Sequence, residues 1–262
     1  MINALSDPLT ECLEKEDLLF GVICRDATHV DIELIAAAGY KIVWFDREHS
    51  SQSLSEMLRL SRTVVHLGMI PLLRVSELSR AQIQTALDGG MQIVTLPNVQ
   101  NAEMTRSLVS YGKYPPVGTR GVSTTNAGAG YNLDADVRKT LDTVNRSTHL
   151  MAMIESDAGY ENLDEILTVP ECDMITVGPL DWAVGAGYSG AEAREALRPK
   201  IEHTIATAVA RGKTVATVVL DDATTLNRHR SLGVRIFFVC EDVVLYRRAL
   251  TSVLADCRAA TL

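Results

Sequence analysis

The 262-residue sequence lacks the features that mark several large classes of protein. No apolar run approaches the ~20 residues that a membrane-spanning helix needs. Residues 1–17 carry acidic side chains and no apolar segment typical of a signal peptide. The five cysteines are odd in number and form no Cys-x-x-Cys pair, a pattern that favours a reducing compartment. We therefore expect a cytoplasmic protein with no membrane partner.

Basic residues are also fewer than acidic residues. The chain has 25 Lys and Arg residues against 33 Asp and Glu, a formal net charge of −8. Proteins that bind the phosphate backbone of nucleic acids cluster Lys and Arg, so no nucleic-acid partner is expected. The sequence contains no Walker-type loop, no His-Glu-x-x-His and no Gly-x-Ser-x-Gly, which argues against the mechanisms associated with those motifs.

What the sequence does contain is a regular alternation of short Val- and Ile-rich segments with amphipathic stretches. Within these segments apolar and polar residues do not strictly alternate, which is typical of strands buried on both faces of a parallel sheet. The predicted strands are Leu19–Ile23, Lys41–Phe45, Ile70–Val75, Ile93–Leu96, Leu150–Ile154, Met174–Val177, Thr214–Val219 and Arg235–Val239. The predicted helices are His29–Ala38, Ser53–His66, Ser79–Asp88, Ala102–Tyr111, Gly159–Leu167, Ala191–Arg211, Asp222–Leu232 and Glu241–Ala255.

Eight strands alternating with eight helices predict an α/β fold, a single-domain (β/α)₈ TIM barrel over residues 1–262, close to the ~250 residues typical of that fold. Glycines that can close a helix in the left-handed conformation support the helix ends. They are Gly39, Gly68, Gly89, Gly212 and Gly233. A doubly wound open sheet is the alternative, weakened because no Gly-x-Gly-x-x-Gly follows the first strand.

Two segments fall outside this alternation. Residues 1–17 precede the first strand as an N-terminal extension. Residues 113–133 (KYPPVGTRGVSTTNAGAGYNL) are too long for a simple connection and are rich in Pro, Gly, Ser and Thr. Long loops in compact domains are commonly lids or binding loops, so we expect this loop near the active site.

The reactive groups of such barrels project from the C-terminal ends of the strands. Glu155 and Asp181 follow neighbouring predicted strands, one βαβ unit apart. Two carboxylates, completed by water and substrate oxygens, suit Mg²⁺ or Mn²⁺. The alternative is that Glu155 caps the next helix and Asp181 caps a turn. Other residues after strands include Asp46, Glu48, Pro97, Asn98, Gly178, Pro179, Asp221 and Glu241.

Two further residues at predicted strand ends can carry chemistry. His49 can exchange a proton near neutral pH, although a histidine after a strand can also be structural. Arg74 can pair bidentately with a carboxylate or an enolate oxygen, or instead form a salt bridge with Asp46 or Glu48.

Several stretches, in this order and spacing, resemble the metal-dependent class II pyruvate aldolase family over about residues 18–245. That family includes 4-hydroxy-2-oxoheptanedioate and 2-dehydro-3-deoxyglucarate aldolases, with macrophomate synthase as a relative. The stretches are WFDREHS (44–50), PLLRVSE (71–77), ALDGGMQIVTLPNV (86–99), KYPPVGTRGVS (113–123), MIES (153–156), ENLDEI (161–166) and VGPLDW (177–182).

The resemblance implies a role for each matched position. Glu155 and Asp181 would hold a divalent ion, Mg²⁺, Mn²⁺ or Co²⁺, that chelates a 2-oxo acid. Arg74 would stabilise the enolate oxygen, and His49, supported by Asp88, would move the proton of the aldol hydroxyl. No Schiff-base lysine is needed, and the interiors of the predicted strands contain none. The residues expected to contact substrate are Arg74, Ser123, Met153, Gly178, Pro179 and Leu180.

The sequence departs from the family pattern at three places. Met153 stands where relatives usually have a glutamine that contributes to the oxo-acid site. Leu180 replaces a small residue and would add bulk beside the site. Residues 123–130 (STTNAGAG) replace basic and bulky residues. The resemblance therefore implies an intact catalytic scaffold with a reworked substrate pocket.

Three functions remain open from the sequence. The first is aldol cleavage or condensation between a 2-oxo acid and an aldehyde or carbonyl acceptor. The second is decarboxylation of an oxaloacetate-like acid, or a carbon–carbon bond-forming step of specialised metabolism. The third is a non-catalytic binding barrel. The resemblance also implies a homo-oligomer, a hexamer built as a trimer of dimers, in which Asp88 and the 113–133 loop cross to a neighbouring subunit.

Overall fold

The computed structural model describes residues 6–133, 136–220 and 222–260. Its eight strands form a closed parallel barrel in which each strand pairs with the next and the last pairs with the first. They are β1 (Leu19–Cys24), β2 (Ile42–Asp46), β3 (Ile70–Arg74), β4 (Ile93–Leu96), β5 (His149–Ile154), β6 (Met174–Val177), β7 (Thr214–Val218) and β8 (Ile236–Glu241). The predicted (β/α)₈ barrel is confirmed, and the open-sheet alternative is wrong.

The described residues form twelve α-helices. They are α1 (Pro8–Lys15), α2 (His29–Ala37), α3 (Leu54–His66), α4 (Arg80–Asp88), α5 (Ala102–Gly112), α6 (Val137–Ser147), α7 (Asp157–Glu161), α8 (Leu163–Leu167), α9 (Pro179–Gly185), α10 (Gly190–Ala210), α11 (Ala223–Ser231) and α12 (Asp242–Ala259). All eight predicted helices are present, one of them divided into α7 and α8. The additional helices α1, α6 and α9 were not predicted, and two of them are too short to show a clear period. None of the helices in the described ranges is long and apolar enough to cross a membrane.

The helix ends follow local chemistry. Ser53 accepts the N–H of Glu56 while the Glu56 carboxylate accepts the Ser53 N–H, a capping box that starts α3. The glycines expected after helices have left-handed backbones, with one exception. After α4 the left-handed residue is Gly90 (φ 102°) rather than Gly89 (φ −75°), because the helix continues one residue further before the chain turns into β4.

The core has two layers separated by the barrel wall. One face of the strands fills the barrel interior, with Ile42, Trp44 and Leu72 among the buried side chains. The other face packs against the surrounding helices, as Val43 and Leu73 do. Because all strands run in parallel, their C-terminal ends meet at one end of the barrel, which we call the mouth, and their N-terminal ends meet at the lower end.

Helix α1 closes the lower end. Its Leu9 packs with the interior cluster, and its N-cap Asp7 lies 2.9 Å from His149 Nε2 at the start of β5. The other ring nitrogen of His149 is bonded to Asp173. Burial would lower the pKa of His149, but the hydrogen bonds and charges of Asp173 and Asp7 raise it to about 9. A buried imidazolium therefore joins α1 to the barrel.

Candidate active site

Asp46 and Arg74 form the central pair of the mouth. They end β2 and β3 and lie opposite each other in the strand register. Arg74 Nε and Nη2 donate to the two carboxylate oxygens of Asp46 at 2.8 and 2.6 Å, and Arg74 Nη1 lies 2.9 Å from Glu48 Oε2. The salt-bridge alternative for Arg74 is therefore present in the structure. Burial lowers the pKa of Arg74, and the surrounding carboxylates oppose this effect.

Arg25 is a part of this network that the sequence analysis missed. It follows β1 directly, and its guanidinium bonds Asp46 and lies 3.3 Å from Glu241. Its backbone N–H donates to Asp242 at 3.0 Å. The signal was available, since Arg25 is a charged residue immediately after a buried strand. Asp46, completely buried, thus balances two guanidinium groups.

Glu155 lies just beyond β5 and is buried. Its Oε1 accepts the backbone N–H of Asn98 at 2.6 Å, which a left-handed backbone at Asn98 (φ 48°) directs toward it. Its Oε2 is buried and has no hydrogen-bond partner among the described residues. Burial raises the pKa of Glu155, the Asn98 bond opposes this, and the charges of Asp181 and Glu48 add to it, giving about 7.

The alternative reading of Glu155 as a helix cap is wrong, because Ser156 caps α7 through its side chain. The space beside Glu155 exists because residue 178 is a glycine. A Cβ at position 178 would lie 2.1 Å from Glu155 Oε2, so only glycine leaves room for that oxygen.

Asp181 lies in the first turn of α9, which begins at Pro179 and has Gly178 as its N-cap residue. The Asp181 side chain is exposed and makes no hydrogen bond or ion pair with another described residue, so the turn-capping alternative is not observed. Its charge nevertheless acts on both Glu155 and Arg74.

The carboxylates fit a divalent cation. A buried oxygen without a partner, beside a second carboxylate, is an arrangement that a hard cation would neutralise. No three His, Cys, Asp or Glu side chains of the described chain gather into a complete cage. Glu155 and Asp181 would therefore occupy only part of a coordination sphere and leave positions for water and substrate oxygens.

The other expected mouth residues lie around this pair. The His49 side chain is half exposed, with Nε2 3.8 Å from Glu48 Oε2. Met153 is buried in the barrel interior, beside Thr176 of β6. Leu180, in the first turn of α9 beside Asp181, is 74% exposed.

Asp88 and Ser123 lie elsewhere in the chain. Asp88 is the last residue of α4. Because α4 runs from the mouth back along the barrel, Asp88 lies at the lower end. There Arg120 Nη2 donates to Asp88 Oδ1 at 2.6 Å, and the Arg120 guanidinium lies 4.4 Å from the centre of the Tyr114 ring. The Ser123 carbonyl accepts from Tyr114 Oη at 3.3 Å. These contacts of the 113–133 loop lie at the lower end, next to the C-terminal ends of α4 and α6.

A partly open pocket of about 50 Å³ lies at the lower end, where Gly90, Ala127 and Tyr131 contribute to its wall. It contains none of the mouth residues.

Known proteins resemble this chain over nearly its full length. Residues 22–249 match the HpcH/HpaI aldolase/citrate lyase family. A 2-keto-3-deoxy-L-rhamnonate aldolase of Salmonella typhi is 32% identical over 255 residues, which cover 97% of this chain and 94% of that protein.

Solved structures show the same fold. The HpcH/HpaI aldolase from Desulfitobacterium hafniense DCB-2 has a TM-score of 0.87 at 23% identity, with 95% of this chain and 96% of that chain covered. The citrate synthase SbnG has a TM-score of 0.87 at 24% identity, with 98% and 99% covered. The family match and the rhamnonate aldolase relative identify the chain: it belongs to the HpcH/HpaI aldolase/citrate lyase family and is a carbon–carbon lyase of the aldolase type.

Proposed function

We propose that the protein makes or cleaves an aldol bond through the enolate of a pyruvate-type 2-oxo acid, with an aldehyde or other carbonyl compound as the acceptor. One observation carries the proposal: the Oε2 of Glu155, which has no hydrogen-bond partner among the described residues, lies beside Gly178 and near the charge of Asp181, at the mouth where Arg74 is held. The related 2-keto-3-deoxy-L-rhamnonate aldolase supports a 2-oxo acid of that class.

Each mouth residue has a role in this proposal. Glu155 and Asp181 would hold a divalent ion, Mg²⁺, Mn²⁺ or Co²⁺, which when bound supplies Lewis acidity toward the carboxylate and keto oxygens of the 2-oxo acid. Arg74 presents its guanidinium to the oxygen on which negative charge develops, and Asp46 keeps it oriented. Gly178 and Pro179 shape the substrate side, next to Met153.

Proton transfer falls to His49 in the proposal. Its imidazole is at the open side of the mouth, where an acceptor would approach, and it is accessible for exchange with water. Asp88 cannot reach His49 within one chain, since they lie at opposite ends of the barrel. We assign Asp88, with Ser123 and the 113–133 loop, to the mouth of a neighbouring copy in a hexamer built as a trimer of dimers. A single domain of residues 1–262, acting in the cytoplasm, completes the proposal.

The experiment is metal removal and return. The protein would be stripped with EDTA, dialysed, and assayed for cleavage of a 4-hydroxy-2-oxo acid by coupled detection of pyruvate, before and after addition of Mg²⁺, Mn²⁺ or Co²⁺. Activity should vanish on removal and return with at least one ion. Full activity after exhaustive chelation, verified by elemental analysis, would rule the proposal out.

A second candidate uses the same residues for decarboxylation of an oxaloacetate-like acid. Met153 favours it, because a buried thioether at this position cannot donate a hydrogen bond to the oxo acid and so changes how the acid is held. Loss of CO₂ from oxaloacetate, compared with the rate from metal ion alone, tests this candidate. A rate no faster than the metal background would remove it.

A further inference from the structure

The barrel interior is built in layers, and one of them lies directly beneath the mouth. From each even-numbered strand to the next, the strand register followed by a step of two residues leads to another inward-facing side chain. Trp44, for example, pairs with Leu72 and Leu72 with Ile93, two residues before Thr95. Three further steps of this kind return to Trp44, as the stagger of a closed (β/α)₈ barrel requires. This floor layer consists of Trp44, Thr95, Thr176 and Phe238.

Two polar groups of the floor layer make no hydrogen bond within the described ranges. Thr176 is completely buried, and its Oγ1 has no partner there. Trp44 is also buried, and its Nε1 likewise has none. Thr95, in contrast, donates its hydroxyl to the Met151 carbonyl at 3.2 Å. Interior layers of such barrels are mostly filled by branched apolar side chains, and an unpaired polar atom in a protein interior is destabilising. Thr176 and Trp44 therefore call for a ligand.

The floor layer adjoins the residues of the candidate site. Trp44 lies two residues before Asp46, and Thr176 lies two residues before Gly178. Because alternate residues of a strand share a face, each pair lies on the inward side of its strand, with the floor residue below the mouth residue. The Cζ of Arg74 is 5.8 Å from the centre of the Trp44 ring. The two unpaired groups therefore lie at the base of the mouth, on strands that face each other across the barrel.

The chemistry of these two groups suits a ligand that accepts hydrogen bonds. An indole N–H can only donate, and the Thr176 hydroxyl can donate to a ligand that has no proton to give. The two groups do not bond each other, since each lacks a partner in the described part of the chain. The cationic guanidinium of Arg74 lies above them. Two hydrogen-bond donors beside a cation favour a carboxylate.

We propose that Thr176 and Trp44 bind the carboxylate of the 2-oxo acid, and that the Thr176 hydroxyl is a specificity-determining contact at the base of the site. Met153, the register partner of Thr176, is a thioether and cannot donate this bond. The carboxylate accepts from the two donors below it, and Arg74 remains assigned to the oxygen that becomes the enolate. The inference rests on the 2-oxo acid of the proposed function and adds the side chains that hold its charged end.

The first test is the affinity of the full chain for pyruvate, titrated calorimetrically with excess Mg²⁺ and without an acceptor, so that no product forms. Thr176→Val keeps the shape of the side chain and removes the hydroxyl. Its Kd for pyruvate should rise at least about tenfold, as expected for loss of a hydrogen bond to a charged group. Thr176→Ser keeps the hydroxyl and should bind pyruvate within about threefold of the wild type. Trp44→Phe removes only the N–H donor and should also raise Kd about tenfold.

Thr95→Val is the matched control. It makes the same change in the same floor layer, but the Thr95 hydroxyl is already bonded to the Met151 carbonyl, so the Kd for pyruvate should stay within about twofold of the wild type. Equal weakening by Thr176→Val and Thr95→Val overturns the proposal, and so does wild-type affinity in Thr176→Val. A greater loss in Thr176→Ser than in Thr176→Val also overturns it, because that order shows a packing role. Near-ultraviolet circular dichroism checks that each variant is folded.

The second test follows the indole directly. The sequence has two tryptophans, Trp44 and Trp182, so the indole N–H resonance of Trp44 in nitrogen-15-labelled protein is assigned by its absence from Trp44→Phe. With Mg²⁺ present, this resonance should move downfield as pyruvate is added, and an unmoved resonance at saturation overturns the proposal. If the wild type binds no pyruvate, the proposed function fails and this inference fails with it. If the wild type binds pyruvate and cleaves a 4-hydroxy-2-oxo acid while Thr176→Val binds pyruvate equally well, only this inference fails.

Discussion

Asp46 holds Arg74 through two parallel hydrogen bonds, Nε to Oδ1 at 2.8 Å and Nη2 to Oδ2 at 2.6 Å. The carboxylate is fully buried and also accepts the backbone N–H of Glu48 at 3.0 Å. Bidentate pairing fixes the plane of the guanidinium as well as its position. One buried anion therefore sets how Arg74 faces the mouth.

Asp46→Asn should lower both stability and turnover. The change removes the negative charge of Asp46 that the guanidinium groups of Arg74 and Arg25 share. We expect this loss to reduce the free energy of unfolding by about 3–5 kcal/mol. Misorientation of Arg74 should lower kcat about 100-fold. Urea denaturation and steady-state kinetics measure the two effects. Asp26→Asn removes the same charge from an exposed neighbouring position and should alter neither. A wild-type kcat in folded Asp46→Asn would contradict the positioning role.

Glu155→Gln and Asp181→Asn should each weaken divalent-ion binding. Each variant keeps the shape of the side chain and removes one anionic ligand, so we expect Mn²⁺ affinity to fall at least 100-fold by calorimetric titration and activity to fall with it. The matched control is Asp157→Asn, an exposed carboxylate that bonds Lys200 and Trp182. Unchanged Mn²⁺ affinity in both variants would show that these residues are not the ligands.

Gly178→Ala should disturb the same site without changing any charge. The added methyl would meet Glu155 Oε2 at 2.1 Å, so the carboxylate must move, and we expect Mn²⁺ affinity to fall about tenfold and stability to fall by about 1–3 kcal/mol. Gly185→Ala, in the same helix α9, has no atom within 4 Å of the new Cβ. It should be neutral or stabilise by up to about 1 kcal/mol. Equal behaviour of the two variants would contradict the steric argument.

Stability should depend on pH through His149. Its pKa is raised from 6.5 to about 9 in the folded chain, so its contribution is complete below pH 6.5 and is lost as pH rises to about 9 and above. The difference corresponds to about 3 kcal/mol. Thermal unfolding between pH 6 and 10 should show this loss in the wild type and in His203→Gln, whose histidine is exposed. His149→Gln should be less stable near pH 6 and should lack the decline. Parallel profiles would refute the assignment.

Met153→Gln should change substrate binding more than turnover. A glutamine at this buried position beside Thr176 can donate a hydrogen bond that a thioether cannot. We expect the KM for the 2-oxo acid to fall about tenfold with kcat changed less than threefold. Met153→Leu cannot donate and should keep the wild-type KM. If both variants raise KM alike, the position serves packing and not substrate recognition.

Local patterns in the sequence were sufficient for the barrel. Each strand end was predicted to within two residues, because a buried parallel strand is a short apolar run. The helix ends were predicted from recognisable caps such as Ser53 and Gly68. The positions of Arg74 and Glu155 at the mouth followed from the same reasoning, because a residue just after a strand of a barrel must lie at that end.

Tertiary structure alone decided which of these residues meet. The sequence placed Arg74 and Asp46 after neighbouring strands but left their pairing open, whereas the register of β2 and β3 sets them side by side. From the sequence, Asp88 was expected to support His49. In the structure Asp88 ends α4 at the lower end of the barrel, beside Arg120. The periodicity of α12 predicts a buried apolar face, but only the tertiary structure shows that the described part of the chain buries none of its side chains. Propensity and capping act over a few residues, while distances between elements depend on how the whole sheet closes.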